Sequence, residues 1–65
     1  MEINQTIAER LVAARGERTR QEVASAVGIS LSALSMYETG QRVPRDEIKV
    51  ALANYYGLTV QELFY

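Results

Sequence analysis

The chain has no histidine and no cysteine, so the groups left to do chemistry are carboxylates, hydroxyls and cations. No serine has an imidazole to activate it. Asp46 and Glu47 are adjacent, which on a helix separates them by about 100° and prevents an acid–base pair. Thiolate chemistry, disulfides and zinc of the usual ligand types are excluded as well. The sequence therefore reads as a non-enzyme with no catalytic residue, no metal and no cofactor, and what remains is recognition by hydrogen bonding, charge and shape. The stretch VGISLSALSMYETG, residues 27–40, is the most distinctive: Ser30, Ser32 and Ser35 stand beside Leu31 and Met36, with no Lys, Arg, Asn or Gln between Gly28 and Glu38.

A chain of 65 residues supports one small domain, here taken as 1–65, in which a single core is thin and gains from self-association. With 48% hydrophobic and 23% charged residues it is too apolar to be disordered. Its start lacks the basic and apolar run of a leader, and no segment is long and apolar enough for a membrane, so a cytoplasmic protein is expected. The net charge of −1 does not by itself point to nucleic acid. Local clustering decides that, and Arg10, Arg15, Arg18 and Arg20 lie early, with Arg42, Arg45 and Lys49 after Gly40.

Capping boxes at Thr6-x-x-Glu9, Thr19-x-x-Glu22 and Thr59-x-x-Glu62 open three helices, and Ser30 caps another. Stops at Gly16, Gly28, Gly40 and Gly57, with Ile48, Ala51, Leu52 and Tyr55 at core spacing after Pro44, complete an all-α reading. The five helices are expected at about 6–15, 20–27, 31–39, 45–56 and 60–64, with no strand. On the third, Leu31, Ser32, Ser35, Met36 and Thr39 fall on one arc and Ala33, Leu34 and Tyr37 on the opposite one. Helices two and three, joined tightly through Gly28-Ile29-Ser30, have the form of a helix-turn-helix with the second helix offered outward.

The ordered set Thr19-Arg20-Gln21-Glu22-Val23-Ala24, Gly28-Ile29-Ser30, Leu34-Ser35, Tyr37-Glu38-Thr39-Gly40, Arg42, Pro44 and Tyr56 to Phe64 resembles the lambda-repressor-like, or Cro/Xre-type, helix-turn-helix DNA-binding domains. The resemblance covers about Ile7 to Phe64. It implies a compact five-helix domain whose third helix enters the major groove. By position it implies base contacts from Leu31, Ser32, Ser35 and Met36, and phosphate contacts from Arg20, Ser30, Gln41, Arg42 and Arg45. It also implies a structural ion pair between Arg15 and Glu38. The chain departs from the pattern in having Arg20 where glutamine is usual, a short segment between Arg15 and Thr19, and Leu31 and Met36 where long polar readers are common. Bidentate reading of guanine or adenine is thus unavailable to that face, leaving thymine-methyl contacts, serine hydroxyls and DNA shape.

Tyr55, Tyr56, Leu63, Phe64 and Tyr65 crowd the last eleven residues, more apolar surface than a small monomer is expected to hide. Leu63, Phe64 and Tyr65 are accordingly assigned to a homodimer interface on helix five, as two-fold half-sites require. The whole reads as a sequence-specific, double-stranded DNA-binding transcriptional regulator, a repressor of phage or mobile-element type acting on a two-fold operator. Ending just after helix five, it is expected to be a minimal regulator without a sensor domain, or the DNA-binding piece of a longer one. The alternative is a protein-binding module, antitoxin-like or antirepressor-like, whose partner is gripped through helix three or helix five.

Overall fold

Thr19 starts the best-defined element. Its hydroxyl accepts from the Glu22 backbone N–H at 3.1 Å, and the Glu22 carboxylate accepts from the Thr19 N–H at 3.1 Å. This reciprocal box satisfies two donors that a helix start leaves free. In the computed structural model, which describes residues 3–65 and side chains from residue 6 onward, that helix is α2 (Arg20–Val27). The others are α1 (Ile3–Arg15), α3 (Leu31–Glu38), α4 (Asp46–Tyr56) and α5 (Val60–Phe64). Thr59 and Glu62 form the same box before α5. The described residues contain helices and no strands, and no helix among them is long and apolar enough to cross a membrane.

Three helix ends differ from the sequence reading. The first helix does not open at Thr6 but already runs from Ile3. The Thr6-x-x-Glu9 spacing is equally that of an i, i+3 pair inside a helix, and no Gly or Pro upstream stops the helix from extending. Thr39 is the C-cap of α3 rather than its last residue, its N–H bonding to the Ser35 carbonyl at 3.0 Å. Arg45 is the N-cap of α4 rather than its first residue, and its side chain makes no capping bond. Asp46 and Glu47 follow in the first turn, where the helix dipole favours them.

Leu11, Val23, Leu34, Leu52 and Leu63, one or more from each helix, are fully enclosed. α3 packs against α1 and α2, while α5 closes the other end against α1 and α4. Because Ala33, Leu34 and Tyr37 turn toward this core, the opposite arc of α3 stays outside, with Leu31 at 46% exposure. Leu63 and Phe64 are 1% and 3% exposed. They are core residues, and their assignment to a dimer surface is wrong: the apolar excess near the C-terminus fills the domain's own interior. Of the three proposed interface residues only Tyr65, at 67%, lies on the surface.

The angle between α2 and α3 depends on Gly28, which adopts φ 82° and ψ 34°. Its N–H and that of Ile29 both reach the Ala24 carbonyl, at 2.9 and 3.0 Å. A methyl group at Gly28 would meet nothing within 4 Å, so only the left-handed backbone opposes a side chain. Gly28→Ala is expected to lower stability by about 1–2 kcal/mol, the usual cost of that conformation for an L-residue. A urea titration followed by circular dichroism measures it, and the helical signal of the folded variant should match that of the parent.

Candidate nucleic-acid interface

The position of α3 is set by a carboxylate. Glu38 stands at its C-terminal end with a fully buried side chain. Nε of Arg15, at the end of α1, donates to Oε2 at 2.9 Å and to Oε1 at 3.1 Å. Nε of Arg20, the first residue of α2, donates to Oε1 at 2.8 Å. The ion pair expected between Arg15 and Glu38 is thus present, but it is half of a three-residue cluster joining α1, α2 and α3. Arg15 also donates through Nη1 to the Arg18 carbonyl at 2.8 Å, which holds the short α1–α2 connection onto the same group.

Arg20, expected at a DNA phosphate, is thus engaged with Glu38, while its side chain stays 39% exposed. Besides Glu38, its guanidinium reaches along α3, with Nη1 3.4 Å from Ser35 Oγ. The clue was present in the sequence, since Arg20, Val23, Ala24 and Val27 share the i, i+3, i+4, i+7 face that α2 turns toward the core.

Along the outer arc of α3, Leu31 and Ser32 are exposed and Ser35 and Met36 half-buried, so all four lie on or at the margin of one surface. Ser30 caps the helix by accepting from the Ala33 N–H at 3.0 Å, which leaves its own O–H free to donate. After α3, Gln41 is tied back by its N–H to the Met36 carbonyl at 3.0 Å, and its Nε2 donates to Thr39 Oγ1 at 2.9 Å. One amide hydrogen of Gln41 remains available. Arg42 and Arg45 are exposed, and among the described residues their side chains have no hydrogen-bond or ion-pair partner. A cleft of about 450 Å³ opens beside them, with Ser30, Ile29, Ala33 and Ile48 in its lining. Two unpaired guanidinium groups and the Ser30 hydroxyl therefore share one cleft beside α3, lined on that helix by Ala33 and Tyr37. No group of His, Cys, Asp and Glu able to hold a metal occurs among the described residues.

Behind the site, Arg18 lies over the rings of Tyr55 and Tyr56, 5.5 and 5.8 Å from their centroids. The Tyr56 hydroxyl oxygen is inaccessible and lacks a hydrogen-bond partner among the described residues. Burial, and next the negative charge of Glu38, push its pKa up to about 12, against opposing pulls from Arg15 and Arg18. The unfolded chain ionises Tyr56 near 10, so the stability this group contributes is complete below pH 10 and declines as the pH rises toward 12. Tyr56→Phe, which removes an unsatisfied polar atom, is expected to match or exceed the parent in stability at pH 7. Between pH 10 and 12 the advantage of the variant should grow, as denaturant midpoints measured across that range would report.

The cluster around Glu38 predicts strong non-additivity. Arg15→Met and Arg20→Met should each cost about 1–2 kcal/mol, because the remaining arginine still pairs the carboxylate. The double variant leaves a buried charge without a cation, and its cost should exceed the sum of the two by about 1 kcal/mol or more. A double-mutant cycle in urea checks it; strict additivity would mean that the two arginines do not share the carboxylate.

No curated protein and no solved structure gives a significant match to the chain. A family model described as a helix-turn-helix domain matches residues 7–63, which takes in all of α2, the Gly28 turn and α3. With nearly the whole chain inside that match, the protein belongs to the helix-turn-helix domain family.

Proposed function

We propose that this protein is a sequence-specific double-stranded DNA-binding regulator that places α3 in the major groove. The observation that carries this reading is the outer face of α3: it has no charge, bears serine hydroxyls, and is flanked by Arg42 and Arg45, which have no partner within the described protein. An acidic face would be repelled by phosphates, whereas short side chains let a helix sit close to base edges. Arg42, Arg45, Gln41 and the Ser30 hydroxyl take the phosphates on this reading, with the cleft beside α3 giving the backbone room. Leu31, Ser32, Ser35 and Met36 meet the bases. The apolar members meet thymine methyl groups and the serines meet polar edges.

A helix of eight residues reads too few base pairs for a selective site. The regulator therefore acts as a homodimer on a two-fold operator, in the manner of a small cytoplasmic repressor of a phage or mobile element. Since Leu63 and Phe64 are internal, the interface draws on what α4 and α5 leave outside, including Tyr65 and Val50, exposed to 67% and 48%. Removing α5 would empty the core rather than isolate a monomer. The exposed Leu31 also suits a protein partner, and salt separates the two readings: an apolar protein contact hardly responds, while each phosphate contact adds about 0.9 to the slope of log affinity against log salt.

The first experiment is selection of bound duplexes from a random pool at low salt, with a two-fold symmetric site as the expected product. On that site Arg42→Ala should weaken binding to matched and mismatched duplexes alike and lower the salt slope by about 1. A changed sequence preference with an unchanged slope would remove Arg42 from the phosphate contacts.

A further inference from the structure

We propose that Arg20 is a positioning residue for recognition: it fixes Ser35 as a hydrogen-bond donor, so that each half-site rejects cytosine at the base Ser35 faces. The proposal rests on the DNA-binding reading above and adds to it a residue and a rule of base choice.

The geometry begins at Glu38. Its Oε1 takes the Nε–H of Arg20 at 2.8 Å, which anchors the planar guanidinium and leaves the Nη groups directed along α3. Nη1 then lies 3.4 Å from Ser35 Oγ. A guanidinium has donors only, so at this contact the serine oxygen accepts. Its own O–H is left to donate, and no described group receives it. The second lone pair of Ser35 sits beside a cation, where an approaching amino hydrogen meets like charge. The serine is thereby biased toward donating.

In the major groove guanine offers N7 and O6, adenine offers N7, and thymine offers O4 as acceptors, while cytosine presents only its N4 amino donor. A serine limited to donating accepts three bases and excludes the fourth. Ser32 provides the contrast, being exposed with no partner among the described residues. Its hydroxyl turns freely to donate or accept and selects little.

The test is duplex selection with the parent, Ser35→Ala, Arg20→Met and Arg20→Lys, each checked for folding by circular dichroism. The parent should show one position per half-site where cytosine is depleted about fivefold or more, the low end for one specific contact. Ser35→Ala should abolish that depletion and leave other positions unchanged. Arg20→Met should do the same with an unaltered salt slope, because Arg15 still pairs Glu38. Arg20→Lys keeps a cation for Glu38 without the planar second donor, so it should also lose the depletion, and it carries the test if the methionine variant unfolds. Depletion that survives in the Arg20 variants overturns the proposal, as does a uniform loss of affinity with a flatter salt slope, which would make Arg20 a phosphate contact. A parent that enriches no site overturns the DNA-binding reading itself, and this proposal with it.

Discussion

A single buried carboxylate holds α3 in place. Glu38 is enclosed at the end of α3 and receives the Nε groups of Arg15 and Arg20, so the last turn of α3 is tied to the end of α1 and to the start of α2. Removing a carboxylate from water is costly, and only closely placed cations with good hydrogen bonds compensate. The arrangement therefore stabilises one relative placement of three helices more than it stabilises the chain as a whole. In so small a domain, where the core rests on a few enclosed aliphatic side chains, such a fixed polar joint orients α3 in a way that apolar packing, which is non-directional, does not.

On the proposed DNA-binding role, that joint would let so plain a surface serve as a reader. Long polar side chains find base edges by flexing, whereas Ser32, Ser35 and Leu31 have little reach and depend on where the helix backbone is held. Short readers need a rigid helix. Ser30 fixes its start through the Ala33 N–H, and the Thr39 hydroxyl binds the Ser35 carbonyl at 2.8 Å near its end. The left-handed turn at Gly28 sets its approach to α2.

The sequence made the elements readable wherever a local signal had one physical meaning. Thr19 and Thr59 cap helices as their boxes imply, and the inner arc of Ala33, Leu34 and Tyr37 turns to the core because its period leaves no other choice. Signals failed where one pattern served two structures. Thr6 and Glu9 have capping-box spacing inside a helix that begins at Ile3. Leu63 and Phe64 are as apolar as an interface requires and as apolar as a core requires, and only the packing of α5 against α1 and α4 decides between them. The pairing of Arg20 with Glu38 was hidden for a related reason: a cation at the start of α2 suits a phosphate, and the carboxylate it pairs with lies eighteen residues away.

The charge distribution bears on the proposed DNA-binding role. With Arg15 and Arg20 paired to Glu38, the cations beside α3 without a partner among the described residues are Arg42 and Arg45, and Asp46 and Glu47 follow them directly in α4. On the proposed DNA-binding role, few phosphate contacts would mean a small counterion-release term and a low affinity for arbitrary DNA. Discrimination between sites is a ratio, and a low non-specific background raises it even when each base contact is weak. On that proposal, a serine-rich face with little surrounding positive charge would gain selectivity from what it lacks. In the proposed homodimer, pairing two such faces across a two-fold axis would multiply modest contacts without multiplying background attraction.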